Sequence, residues 1–222
     1  MLDVAMTTII IPIEARLLTL QIQEHDIRQV EVDVGGRAQI QRRRVTTSRD
    51  VPHGHNASRI APAVQFANTV FRPAEIRFML AQTSEVSVLA PMGREALDNQ
   101  GFHLLSRQFP GGPGISLMLV NRFERGELGG QSLESAGTAI IEAMSQSQLS
   151  RVLSHELGHL LNLHHEGPGK VDNYNLMYPA LRAGNRLDPE QITAARESRL
   201  AIGAARAAQQ GRAAINQAGR LP

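Results

Sequence analysis

Three histidines and a glutamate between residues 155 and 165 have the spacing of a metal site. His155 and His159 are four residues apart, so on a helix they lie on one face and can bind a single ion. Glu156 is rotated off that face and can act as the general base for a water at the metal. His165 can supply a third ligand if the chain turns back after the helix, which leaves a fourth position open.

The residues between the second and third histidines predict this turn. The helix must end after Leu161, and Asn162 is the best non-glycine residue for the left-handed conformation that ends a helix. A run of leucines predicts that the helix is held in the core; its members are Leu153, Leu157, Leu160, Leu161 and Leu163.

The segment resembles the H-E-x-x-H-x-x-G-x-x-H signature of the metzincin zinc endopeptidases, with Asn162 in the place of the glycine. The family spacing selects His165, rather than the adjacent His164, as the third ligand. Residues 175–179, Asn-Leu-Met-Tyr-Pro, resemble the methionine turn of that family. The resemblance implies that Met177 is structural and forms an apolar floor under the ligands.

The same resemblance implies a pocket for the side chain that follows the cleaved bond, with Tyr178, Pro179 and Leu181 as candidate lining residues. It gives Tyr178 no role at the metal, because Pro179 occupies the position two residues after the methionine. An extended substrate would pair with an edge strand, for which residues 138–143 are the candidate.

The periodicity of apolar residues predicts a mixed order of helices and strands. The active-site helix has Ser145 or Ser147 as its N-cap, and a last helix opens at Asp188 with Pro189 in its first position. The resemblance then implies an α+β metzincin-like catalytic domain with a small mixed twisted sheet, an active-site helix, a zinc cleft and a C-terminal helix. The remaining predicted elements are a helix over 56–71, a strand over 76–80, a helix over 94–109, a buried strand over 115–120, a loop over 126–137 and a strand over 138–143.

Three parts are expected along the chain: an N-terminal extension over residues 1–50, a zinc metalloprotease domain over 51–200 and a helical or frayed tail over 201–222. The segments 30–34 and 37–41 predict a β-hairpin with a Gly-Gly turn. Two interpretations stay open. One is a prosegment that covers the cleft, with Asp33 reaching the zinc. The other is a hairpin added to the catalytic sheet or forming its first strand; the position of Asp33 before two glycines favours this second interpretation.

The amino-acid composition further narrows the class of protein. The chain has 222 residues, 42% of them hydrophobic, which suffices for one domain with a sizeable core. The absence of cysteine excludes disulfides, thiol ligands and a cysteine-based latency switch. No apolar stretch is long enough to span a membrane, and no signal-peptide pattern is seen, which indicates a cytoplasmic protein or a processed form; the resemblance instead implies secretion.

The cluster Arg42-Arg43-Arg44 has two interpretations, a contact for nucleic acid or an acidic partner, and a solvated strand end or exposed connection. A net charge of +2, no tryptophan and only two tyrosines favour the second. His53 and His55 lie in a His-Gly-His loop; an incidental metal site is conceivable there, and both stay unassigned.

The sequence therefore predicts a zinc-dependent endopeptidase with one catalytic Zn²⁺, which hydrolyses protein or peptide substrates with Glu156 as the base. No nucleic-acid or membrane partner is expected, and a monomer is the default. A catalytically silent zinc-binding module on the same scaffold is the first alternative, and the intact Glu156 argues against it. A nucleic-acid-associated factor acting through arginines is the second, and the weak net charge argues against it.

Overall fold

The computed structural model describes residues 7–33, 38–124, 129–165, 173–179 and 184–218. Six strands form one mixed sheet in the order β2-β1-β4-β6-β5, with β3 paired to the other edge of β1. The strands are β1 (Ile9–Asp33), β2 (Ala38–Val51), β3 (Ile76–Leu89), β4 (Ile115–Val120), β5 (Gly130–Leu133) and β6 (Thr138–Glu142). The helices are α1 (Ile60–Phe71), α2 (Asn99–Gln108), α3 (Gln146–Leu160), α4 (Pro189–Glu197) and α5 (Arg199–Ala218).

The first half of β1 lies in the middle of the sheet. From Ile13 to Leu17 it pairs in parallel with β3 on one edge and with β4 on the other. Several of its apolar side chains, such as those of Ile11 and Leu18, are fully buried. Half of the expected N-terminal extension therefore forms the central strand, while the three-part division of the chain stays a prediction.

The second half of β1 continues as a long hairpin with β2. Antiparallel pairing runs from Leu20 opposite Val51 to Asp33 opposite Ala38, which confirms the predicted hairpin strands; the glycine turn lies outside the described residues. Arg42 to Arg44 fall inside β2, so the expectation that they end a strand or form a connection was wrong. The alternative in which Asp33 reaches the zinc stays a prediction.

Helices cover both faces of the sheet. Helix α3 packs against α1 and against strands β5 and β6, and α5 packs against β1, so the larger core lies on this face. Helix α2 contributes Phe102 and Leu105 to a second core on the other face. Among the described helices, none combines the length and the apolar character that crossing a membrane requires.

Besides β3, which was predicted over 76–80 and continues to Leu89, three elements differ from the sequence prediction. Helix α2 begins at Asn99 instead of residue 94, because the Asp98 side chain caps it by accepting a bond from the Gly101 amide at 2.7 Å. The last helix is two helices, because Ser198 is extended between α4 and α5. The rest of the predicted order is confirmed, including β4 over 115–120.

The third difference changes the edge of the sheet. The predicted loop over 126–137 contains β5, which pairs antiparallel with β6. β6 is therefore an inner strand, and the expectation that it is the edge strand for substrate was wrong. β5 is only four residues long and includes Gly130, Gln131 and Ser132, so it has no apolar alternation by which the sequence could reveal it.

A capping box fixes the start of α3. The Ser145 hydroxyl accepts a bond from the Gln148 amide at 3.4 Å, and the Gln148 side chain accepts one from the Ser145 amide at 3.3 Å. Of the two predicted candidates, Ser145 is therefore the N-cap.

We expect Ser145→Ala to lower the free energy of unfolding by about 1 kcal/mol, because the Gln148 amide at the start of α3 loses its hydrogen-bond partner. Ser147→Ala is the matched control, since Ser147 lies inside the helix and does not cap that amide. Urea denaturation followed by circular dichroism measures both. Equal destabilisation by the two substitutions would contradict the assignment.

Candidate metal centre

The side chains of His155, His159 and His165 converge on one point. Their Nε2 atoms are 3.0 Å (155 to 165), 3.1 Å (155 to 159) and 3.2 Å (159 to 165) apart. The ligand nitrogens of a tetrahedral ion with bonds of about 2.0–2.1 Å stand roughly 3.3–3.4 Å apart. The triangle therefore fits a metal ion, and within the described residues no other group of three histidines, aspartates or glutamates does.

Two backbone carbonyls determine which nitrogen faces that point. Nδ1 of His155 lies 2.8 Å from the carbonyl oxygen of Leu176, and Nδ1 of His159 lies 2.8 Å from that of Leu163. A carbonyl only accepts, so each Nδ1 carries the proton and each Nε2 presents a lone pair. Two lone pairs that face each other at 3.1 Å repel, and a cation between them removes the repulsion.

Burial keeps these imidazoles neutral. It lowers the pKa of His159 to about 4, with a smaller contribution from the positive charge that His155 would carry. Burial also lowers the pKa of His155, against the opposing effect of the Leu176 carbonyl. The pKa of His165 is lowered by burial and then by His164. All three favour the unprotonated form that binds metals.

The end of α3 reverses the chain as predicted. Asn162 has φ +63°, in the left-handed region, and its amide donates to the carbonyl of His159 at 2.9 Å. The Leu163 amide donates to the carbonyl of Gly158 at 2.9 Å, and the Leu163 side chain is buried. This reversal brings His165 to the other two ligands and leaves His164 exposed and outside the group, as expected.

The turn that supplies the Leu176 carbonyl is held by Asn175. Its side-chain oxygen accepts from the Met177 amide at 2.7 Å, and its side chain exchanges two hydrogen bonds with Gln191, at 3.0 and 3.1 Å. Asn175 belongs to the turn motif in the sequence but had no predicted role, and Gln191 was not predicted as a site residue. The only sequence signal for Gln191 was the Asp188-x-x-Gln191 pattern of a capping box, and the structure contains this capping box.

Met177 lies fully buried beneath α3. A Cβ atom on Gly158 would lie 2.6 Å from the Met177 sulfur, so a side chain at Gly158 would displace the methionine or the helix. Tyr178 is half-buried and Pro179 is exposed, while Leu181 lies outside the described residues. The roles of Met177 and of the pocket residues stay predictions.

The Glu156 carboxyl group is not part of the histidine cluster, although Glu156 follows His155 directly in sequence. Only 5% of the residue is exposed, and burial raises its pKa to about 7, against a hydrogen bond from the Ser132 side chain that lowers it. A Cβ atom on Gly130 would lie 2.8 Å from Cγ and 2.9 Å from Oε1 of Glu156, so the backbone of β5 lies directly against the carboxyl group. Gly130 and Ser132 were not predicted as site residues, because their glycine- and serine-rich segment is typical of a loop.

His53 and His55 form a local pair away from this cluster. The His55 amide donates to Nδ1 of His53 at 3.0 Å, and the His55 ring is half-buried with no hydrogen-bond partner at Nε2. Neither residue joins a group of three possible ligands within the described part of the chain, so the structure offers no support for an incidental metal site there.

No known protein family and no curated protein matches this chain. Among solved structures, metalloproteinase-II from Bacteroides fragilis is 14% identical over 87% of this chain and 54% of its own, with a TM-score of 0.49. A chaperone–substrate complex is 12% identical over 90% of this chain and 35% of its own, with a TM-score of 0.47. The chain thus spans about half of the first protein and a third of the second. At these TM-scores neither likeness supports an assignment.

We expect His165→Ala to weaken zinc binding by at least about 100-fold, because it removes one of three ligands. The adjacent His164→Ala is the matched control and should leave the affinity within about threefold of wild type, since such small changes lie within about 0.7 kcal/mol. Competition against a chromophoric chelator measures both. Equal affinities for the two variants would contradict the assignment of His165.

A second expectation concerns acid stability. Burial lowers the pKa of His55 from its ordinary 6.5 to about 4, helped by the nearby positive charges of His53 and Arg59. The folded state therefore binds fewer protons than the unfolded state between these values, and the free energy of unfolding falls as the pH falls from 6.5 to 4.

The free energy of unfolding of His55→Gln should fall less steeply than that of wild type as the pH falls over that range. Urea denaturation at several pH values measures the two slopes. Measurements above neutral pH, where His55 is neutral in both states, give the baseline difference between the proteins. Parallel curves throughout would show that His55 is not buried in this way.

Proposed function

We propose that this chain is a zinc-dependent endopeptidase that hydrolyses peptide bonds in protein or peptide substrates. The observation that carries the proposal is the convergence of three neutral imidazoles, with Nε2 atoms 3.0–3.2 Å apart. Such a three-histidine set, which leaves a ligand position for water, is typical of catalytic rather than structural zinc sites.

A zinc ion bound by these histidines would act as a Lewis acid toward water and toward the scissile carbonyl. His155, His159 and His165 would hold the ion through Nε2. The carbonyls of Leu176 and Leu163 would keep two of the rings in the orientation and tautomer that binding needs. Met177, packed against Gly158, would support the helix that carries the first two ligands.

Glu156 is the group proposed to move the proton. Its carboxylate follows the first ligand in sequence, lies outside the ligand set and is held against β5. It would accept the proton of the attacking water and pass it to the nitrogen of the leaving amine. A purely structural metal site has no need of this carboxylate, which favours hydrolysis over a catalytically silent module.

Strand β5 is the surface proposed to bind substrate. It ends the strand order of the sheet, so its outer edge has no partner strand among the described residues. An extended peptide could pair with that edge through backbone hydrogen bonds. Because Gly130 on β5 lies against Glu156, such a peptide would pass close to the proposed base. Tyr178, Pro179 and Leu181 remain candidates for the pocket after the cleaved bond.

We expect Glu156→Ala to lower the rate of peptide cleavage by about 100- to 10,000-fold while the protein stays folded and binds one zinc ion per chain. Glu197→Ala is the matched control, because Glu197 is an exposed glutamate on α4. The measurements are cleavage of casein and of a peptide library, metal content and circular dichroism.

Removal of the metal with a chelator should abolish cleavage, and added zinc should restore it. A wild-type chain that binds one zinc ion and cleaves nothing would overturn the proposal in favour of the silent module. Equal activity of Glu156→Ala and Glu197→Ala would overturn the role of Glu156.

A further inference from the structure

We propose that strand β5 positions the general base: the Ser132 hydroxyl and the side-chain-free backbone of Gly130 hold the Glu156 carboxylate in the orientation that accepts a proton. The inference rests on the proposed function and adds two positioning residues to it. Neither acts on substrate directly; both act through Glu156.

The register of the sheet places Gly130 and Ser132 on the face that packs against α3. Gly130 pairs with Ile141 and Ser132 pairs with Ala139. Ile141 and Ala139 belong to the core that also contains the buried leucines of α3. Because side chains alternate along a strand, Gly130 and Ser132 face α3, whereas Gln131 and Leu133 face away. Leu133 accordingly packs against the second core, on the opposite face of the sheet.

Gly130 allows the close approach. A Cβ atom at this position would lie 2.8 Å from Cγ of Glu156, 2.9 Å from its Oε1 and 2.8 Å from Cγ1 of Val152. These distances are too short for any side chain, so glycine is the residue that lets β5 lie flat on the carboxylate. The two α3 residues are four apart, so the strand crosses one face of the helix.

Ser132 contributes the hydrogen bond. Its side chain donates a hydrogen bond to the Glu156 carboxyl group. A carboxylate that is only 5% exposed has little water to replace a lost donor. Removal of the hydroxyl should therefore let the carboxylate rotate, which changes the rate of proton transfer more than it changes substrate binding.

The test compares four variants in the zinc-loaded protein. We expect Ser132→Ala to lower kcat by about 10- to 100-fold with KM changed less than about twofold, the range of a hydrogen bond to a charged group. Ser132→Thr, which keeps the hydroxyl, should recover most of kcat. Glu197→Ala, at an exposed position on α4, should match wild type. Gly130→Ala should lose kcat at least as strongly as Ser132→Ala.

A second readout needs neither zinc nor turnover. In chelator-treated protein, the urea midpoint is measured for wild type, Ser132→Ala, Glu156→Ala and the double variant. If Ser132 holds Glu156, the shift caused by Ser132→Ala is smaller in the Glu156→Ala background than in wild type. Ser154→Ala removes another buried hydroxyl of this core, bonded to the Ser150 carbonyl, and its shift should be the same in both backgrounds.

The possible results separate the two proposals. A kcat for Ser132→Ala within twofold of wild type, or failure of Ser132→Thr to recover activity lost in Ser132→Ala, overturns the positioning role while the proposed function stands. A wild-type chain without turnover overturns the proposed function. If the wild-type chain shows no turnover, the urea midpoints still test the contact between Ser132 and Glu156. Equal shifts of the midpoint by Ser132→Ala in both backgrounds overturn that contact. A smaller shift in the Glu156→Ala background upholds it.

Discussion

Repulsion between the Nε2 lone pairs of His155 and His159, 3.1 Å apart, is the constraint around which the histidine cluster is organised. Neutral rings with Nε2 atoms 3.0–3.2 Å apart would separate in a flexible chain. They stay together because the protons on the far side of two rings are held by backbone carbonyls, so rotation of either ring would break a buried hydrogen bond. The folded chain thus holds two lone pairs 3.1 Å apart, and a bound cation would remove their repulsion and stabilise the native state by mass action.

Two asparagines place those carbonyls, and each does so by a different mechanism. Asn162 adopts φ +63° and turns the backbone so that the Leu163 carbonyl faces His159. Asn175 instead uses its side chain, which accepts from the Met177 amide and bonds to Gln191 at the start of α4. The second mechanism links the turn under the ligands to a helix that follows it in sequence. The orientation of His155 therefore depends on residues well outside the histidine motif.

The ligand set could be predicted from sequence because its determinants are local. Spacing on a helix and a left-handed residue at the helix end place all three histidines within eleven positions. The support of Glu156 could not be predicted in this way. Gly130 and Ser132 reach it through a four-residue strand, and their contact depends on the packing of β5 against α3 across the sheet. Such a contact leaves no periodicity in the chain.

The fold, like the site, could be predicted where its determinants are local in sequence and could not be predicted where they are distant. Buried, regular elements such as β4 and the start of α3 were predicted, since apolar runs and capping residues mark them directly. The position of β1 was not, because a strand's neighbours are set by pairing with segments that come much later. Polar β5 was missed for want of an apolar pattern, and the consequence was the wrong choice of edge strand.

The central place of β1 has a consequence for how the chain folds. Ile9 pairs with Ile76, and Ile13 pairs with Ile115, so the first strand finds its neighbours some 67 and 102 positions further along. During synthesis, the buried side chains of β1 cannot pack fully against the sheet until β4 has left the ribosome. Such distant pairings raise the contact order, which slows folding and prolongs the time in which a long apolar strand has no neighbours.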